Sequence, residues 1–151
     1  MRFGIRKIVF VDDDPDDCFI FRKALADVSS TVQLHFVSDC DVLIQTLDAI
    51  EPDLVFMDIN MPKKSGFECI SEIRGLSRYE ALPVVMYSCA EQNVQIQKAY
   101  GFGAHLYLQK PSSYGALVSS IRTILAMDWD APQLIADSYF TNGEFLPFKA
   151  V

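Results

Sequence analysis

The sequence predicts an α/β fold, a parallel five-stranded sheet with helices on both faces. Three observations carry this. Short apolar runs rich in β-branched and aromatic residues recur along the chain. Longer amphipathic stretches separate them, and strand-helix alternation implies parallel strands joined by right-handed crossovers. The runs also show little apolar-polar alternation, as expected of strands covered on both faces.

The elements follow in order. Ile8 to Val11 is the first strand. Asp14-Pro15 opens the first helix, with Asp14 as N-cap and Pro15 in the first turn, and Phe21, Leu25 and Val28 on one face. Val32 to Val37 is the second strand. Asp39 caps a second helix carrying Val42, Leu43 and Leu47. Leu54 to Met57 is the third strand, and Gly66 precedes a helix with Phe67, Ile70 and Ile73. Val84 to Tyr87 is the fourth strand, followed by a helix over Glu91 to Phe102 that Gly103 ends. Leu106 to Leu108 is the fifth strand. A last helix over Ser112 to Met127 has Leu117, Ile121, Ile124 and Leu125 on one stripe.

Length and composition narrow the classes of function. The chain has 151 residues, half of them apolar and 22% charged, which is one domain of ordinary globular composition. Thirteen Lys and Arg against twenty Asp and Glu give a net charge of -7. That balance argues against nucleic acid as a partner, because phosphate backbones are bound through Lys and Arg. No run approaches ~18 consecutive apolar residues, and Met1 to Lys7 lacks the apolar core of a signal peptide, so no membrane association and a cytoplasmic location are expected. The four cysteines, Cys18, Cys40, Cys69 and Cys89, form no Cys-x-x-Cys pair and are expected to be free thiols. His35 and His105 are expected to be packing residues in or beside strands.

Ligands of such sheets bind outside the carboxyl ends of the strands. There the sequence places Asp12, Asp13 and Asp14, then Asp58 followed by Asn60 and Pro62, then Ser88, then Lys110 followed by Pro111. Taken singly, each is an ordinary turn or cap residue, and Asp14 reads as the cap. Taken together on one rim, they offer carboxylates, a hydroxyl and an ammonium. Clustered carboxylates call for a cation, and hard oxygen ligands suit Mg²⁺. A lysine opposite them suits a phosphoryl group, and an aspartate can itself be the nucleophile. These are the parts of in-line phosphoryl transfer.

The stretches Ile8 to Asp14, Asp53 to Pro62 with Gly66, Pro83 to Ser88, and Tyr107 to Pro111 resemble the receiver domain of two-component response regulators. The resemblance covers roughly Lys7 to Met127. It implies a flavodoxin-like (βα)5 three-layer sandwich with strand order 2-1-3-4-5. It implies a switch rather than an enzyme with a separate substrate: Asp58 accepts a phosphoryl group from a sensor histidine kinase or phosphotransfer protein, and the changed surface meets a downstream protein target. Asp12 and Asp13 become the acidic pair, Asp13 the more direct Mg²⁺ ligand, with Asp58 and the backbone carbonyl of Asn60 completing the metal set. Ser88 and Lys110 contact the phosphoryl group, Ser88 and Tyr107 form the switch, and the Lys110–Pro111 bond is expected to be cis. Ala90, two residues past Ser88, offers no side chain to a hydrolytic water.

Two other classes share parts of this pattern. A dehalogenase-type phosphatase would want a second aspartate where Asn60 stands. A non-phosphorylated binding module would keep the fold but usually lose a site residue, and none is missing. The expected organisation is a receiver domain over 1–127 and an apolar extension over 128–151. The extension crowds Trp129, Leu134, Ile135, Tyr139, Phe140, Phe145, Leu146 and Phe148 into a short segment with a hairpin signal at Asn142-Gly143. It is expected either to pack on its own domain or to supply a homodimer or partner contact.

Overall fold

The computed structural model describes residues 4–149. Five parallel strands run β1 (Lys7–Val11), β2 (Gln33–Val37), β3 (Leu54–Met57), β4 (Val84–Ser88) and β5 (Leu106–Gln109), in the order β2-β1-β3-β4-β5. The register pairs Val9 with His35 and Val55, Phe56 with Val85, and Met86 with Tyr107. Helices α1 (Pro15–Val28), α2 (Leu43–Ile50), α3 (Gly66–Arg74), α4 (Asn93–Gly101) and α5 (Tyr114–Leu125) fill the crossovers.

The uninterrupted apolar strands have their reason in two separate cores. Val9, Val11, Val55, Met57, Val84 and Met86 point to one face, where α2, α3 and α4 cover them with residues such as Leu47, Ile70 and Ala99. Ile8, Phe10, Leu54, Phe56, Val85 and Tyr87 point to the other, under Phe21 and Leu25 of α1 and Ile121 and Ile124 of α5. Successive strand side chains face opposite ways, so a strand buried on both sides must be apolar throughout.

The helix ends follow their caps. The Asp14 carboxylate accepts from the Asp16 amide at 2.9 Å. Ser65 and Glu68 form a reciprocal capping box on α3, and Ser113 caps α5 through the Ala116 amide. The second helix differs from expectation. Asp39 caps a 3-10 turn over Cys40–Val42, and the α-helix begins only at Leu43. This turn leaves Val42 exposed rather than on the buried face.

The expectation of four free thiols fails for two of them. Cys40 and Cys69 are joined as a disulfide, with Cα atoms 5.7 Å apart and a sequence separation of 29 positions. Both side chains enter the same core from different elements, a juxtaposition that spacing along the chain does not reveal. Cys18 and Cys89 remain free. His105 is buried and its Nδ1 accepts from the Val84 amide at 3.2 Å, a packing role as expected.

The extension folds back on its own domain. A short helix α6 (Pro132–Ser138) precedes a hairpin of β6 (Phe140–Thr141) and β7 (Glu144–Phe145). Asn142 and Gly143 turn it with φ of 53° and 82°, the two positive values that a tight hairpin turn requires. Trp129 is buried and donates to the Ile124 carbonyl at 2.7 Å. Ala136 joins one core and Phe148 the other.

Candidate functional site

Parallel strands in register end together, so β1, β3, β4 and β5 deliver their terminal polar groups to one rim. Asp12 follows β1 and is buried. Its Oδ1 accepts from the Asp14 amide at 2.9 Å, while Oδ2, also buried, has no hydrogen-bond partner among the described residues. Asp13 is exposed beside it. Asp58 follows β3, is buried, and accepts from the Asn60 amide at 3.4 Å. Asp12, Asp13 and Asp58 each present a carboxylate oxygen within 4.8 Å of the others.

Lys110 closes the rim from β5. Its Nζ lies 2.6 Å from Asp17 Oδ2, 3.5 Å from Asp12 Oδ2 and 3.8 Å from Asp58 Oδ1, and 5.2 Å from the centre of the Tyr87 ring. Asp17 joins the site in addition to the residues expected from the strand ends. It stands one helical turn after Asp14 in the first turn of α1, and helix periodicity applied to that acidic run was the signal for it.

The Lys110–Pro111 bond is trans, which corrects the cis expectation. The Lys110 amide donates to the Ser88 carbonyl at 2.8 Å, extending the β4–β5 ladder by one residue. The trans form, favoured by about 0.5–1 kcal/mol in X-Pro bonds, already brings the ammonium to the carboxylates.

The charges are set against burial. Burial pushes the Asp12 carboxyl up to about 6, although the Asp14 amide and Lys110 pull it back. Burial also raises Asp58, opposed by Lys110 and by the amides of Asn60 and Ile59. Burial disfavours the Lys110 ammonium, but the Asp17 hydrogen bond and the charges of Asp58 and Asp12 outweigh it and hold that group above its ordinary value. Crowded carboxylates, Asp12 and Asp58 raised by burial and Asp12 with an unsatisfied buried oxygen, form a hard-oxygen donor set that fits a divalent cation.

Ser88 ends β4 fully buried, and its Oγ accepts from the Ala90 amide at 3.1 Å. Tyr107, in β5, is fully buried, and its hydroxyl donates to the Ala90 carbonyl at 2.8 Å. Both residues therefore grip the same β4–α4 loop. Gly66 holds the β3–α3 side together. A Cβ there would strike the Asp58 carbonyl oxygen and come within 2.9 Å of Ile59 Cα, so only glycine permits this approach.

Comparison with known proteins agrees with this architecture. The phosphorylated cyanobacterial phytochrome response regulator RcpA superposes with a TM-score of 0.72 at 27% identity, over 79% of this chain and 90% of that one. The chemotaxis response regulator CheY4 of Vibrio cholerae shares the fold with a TM-score of 0.69 at 23% identity, over 80% and 99%. The sensory transduction protein BceR of Halalkalibacterium halodurans is 29% identical over 119 residues, 79% of this chain but 49% of its own length. This chain thus matches about half of that relative. The described residues contain no helix long and apolar enough to cross a membrane. The sequence profile of the response regulator receiver domain matches residues 8–122, and the chain belongs to that family of two-component signalling modules.

Proposed function

We propose that the chain is a phosphorylation-activated switch in which Asp58 accepts a phosphoryl group from the phosphohistidine of a sensor histidine kinase or phosphotransfer protein. The observation that carries this is the Asp58 carboxylate, buried at a strand end with Lys110 at 3.8 Å and two further carboxylates beside it. An Asp58 oxygen forms the new O–P bond as the N–P bond breaks and the imidazole leaves. Lys110 turns from the carboxylates towards the new phosphoryl oxygens, and the Ser88 hydroxyl is drawn to them. Asp12, Asp13 and Asp58, with the Asn60 carbonyl, would hold Mg²⁺. When bound, the ion neutralises charge on the transferring group. That the similar RcpA was crystallised phosphorylated supports the reading.

The Tyr107 ring is already buried, and moving Ser88 towards Asp58 gives it more room there, favouring this inward position over an outward one and fixing the surface of α4 and β5 presented to a downstream protein. The test is Mg²⁺-dependent labelling with a small acyl phosphate. The wild-type chain is expected to incorporate one phosphoryl group that hydroxylamine releases, as it does from an acyl phosphate, and Asp58→Asn none. Strong residual labelling of Asp58→Asn would sink the assignment.

A further inference from the structure

β5 is an edge strand, and an edge leaves backbone N–H and C=O groups open. Here they are not open at Tyr107. Its amide donates to the Tyr100 hydroxyl at 3.2 Å, and its carbonyl accepts from the Phe148 amide at 2.7 Å. Leu108 and Phe148 form a parallel bridge, so the end of the extension runs along the sheet as an added edge. The same Tyr100 hydroxyl donates to the Leu146 carbonyl at 2.9 Å. The Tyr100 ring lies flat on Phe145, 4.4 Å between centres and 7° between planes. Gln97 completes the attachment, donating to the Phe145 carbonyl at 2.6 Å and accepting from its amide at 2.9 Å.

Tyr107 is therefore held at both ends. Its hydroxyl sits on the loop that follows Ser88, and both outward backbone groups sit on the extension or on the tyrosine that grips the extension. We propose that residues 139–149 form a strap that reads the state of Asp58 through Tyr107. Seating the Tyr107 ring and docking the strap on α4 and β5 are one coupled event. Resting on the phosphoryl-acceptor reading above, a phosphoryl group on Asp58 favours the seated ring and so tightens the strap. By reciprocity the docked strap raises the affinity of the Asp58 site for a phosphoryl group.

The experiment uses the full chain with Mg²⁺ and beryllofluoride, a phosphoryl mimic, and reads amide hydrogen exchange at Phe148. Beryllofluoride is expected to slow that exchange about fivefold or more, the low end of ordinary coupling between sites. Tyr100→Phe removes the shared hydroxyl but keeps the ring on Phe145, and is expected to weaken beryllofluoride binding by a similar factor. Gln97→Ala, a change at the domain surface, repeats the test independently of the core. Unchanged or faster Phe148 exchange, with shifts around Asp58 showing the probe bound, overturns the strap while the acceptor reading stands. Unaltered affinity in both variants overturns it likewise. Failure of beryllofluoride to bind the wild-type chain overturns the acceptor reading itself, and the strap with it.

Discussion

At the scale of single residues, the site is a competition between burial and charge. Among the described residues, Lys110 is the ammonium that faces Asp12, Asp17 and Asp58 across short distances. Lys110→Met should leave Asp58 able to accept the phosphoryl group yet remove the partner that transmits its charge. The mutant is expected to label with acyl phosphate but to lose the phosphorylation-dependent chemical-shift changes around Tyr107. Retention of those changes would break the proposed link. A second prediction concerns His105, whose burial, with Arg74 nearby, pushes it down to about 4. A histidine with a depressed value is neutral in the native state and binds its proton more readily when unfolded. It therefore adds stability that is full above about 6.5 and lost as pH falls towards 4, of order 3 kcal/mol. Asp12, with a raised value, acts in the opposite direction, its contribution being lost as pH rises towards 6. The informative quantity is thus a difference. His105→Asn keeps an acceptor for the Val84 amide and does not titrate. Its urea-unfolding free energy relative to the wild type should become more favourable as pH falls from 6.5 to 4; a difference constant with pH would refute this. These single-residue roles were only partly legible in the sequence. The polarity of Asp12, Asp58, Ser88 and Lys110 at strand ends could be read directly, whereas the partnership of Lys110 with Asp17 spans 93 positions and has no local signature.

At the scale of elements, caps and turns did most of the specifying. Asp14, Ser65 and Ser113 mark helix starts because each carries an oxygen that satisfies a first-turn amide. The α6 helix had no such mark: Ala131 precedes it without a side-chain cap, and only Pro132 hinted at a helix start. Gly66 illustrates an element positioned by what is absent. Its amide donates to the Ile59 carbonyl at 2.8 Å, seating α3 against the loop that carries Asp58. Gly66→Ala should force these backbones apart and cost about 1–3 kcal/mol, the usual range for overpacking. Urea unfolding would show the loss, and slower acyl-phosphate labelling would show the displaced Asp58. A variant as stable and as reactive as the wild type would mean that the loop yields freely.

At the scale of the whole molecule, two cores share one sheet, and the extension draws on both. Trp129 and Phe148 belong with α1 and α5, and Ala136 belongs with α2, α3 and α4. Much of the apolar surface expected of a free tail is therefore spent inside the domain. A homodimer contact would have to use what stays exposed, chiefly Leu134, Phe140 and Leu146. Sedimentation of the full chain decides between the two roles of the extension: concentration-dependent association that Leu134→Glu abolishes would establish the dimer contact. Leu134 is 69% exposed, so the substitution disturbs no core. A monomer at every concentration, with and without beryllofluoride, removes the dimer expectation.

Strand-helix alternation, a parallel sheet buried on both faces, the hairpin at Asn142-Gly143 and the polar groups at the strand ends can be read from the residues alone. All of these are encoded within a few residues, by periodicity, caps and turn chemistry. That Cys40 meets Cys69, that Lys110 turns to Asp17 with a trans proline bond behind it, and that Phe148 closes the edge of β5 at Tyr107 emerges only once the layers are packed. Those pairings join residues tens of positions apart. They depend on which edges and faces the packed sheet leaves within reach, a property of the assembled layers and of no segment alone.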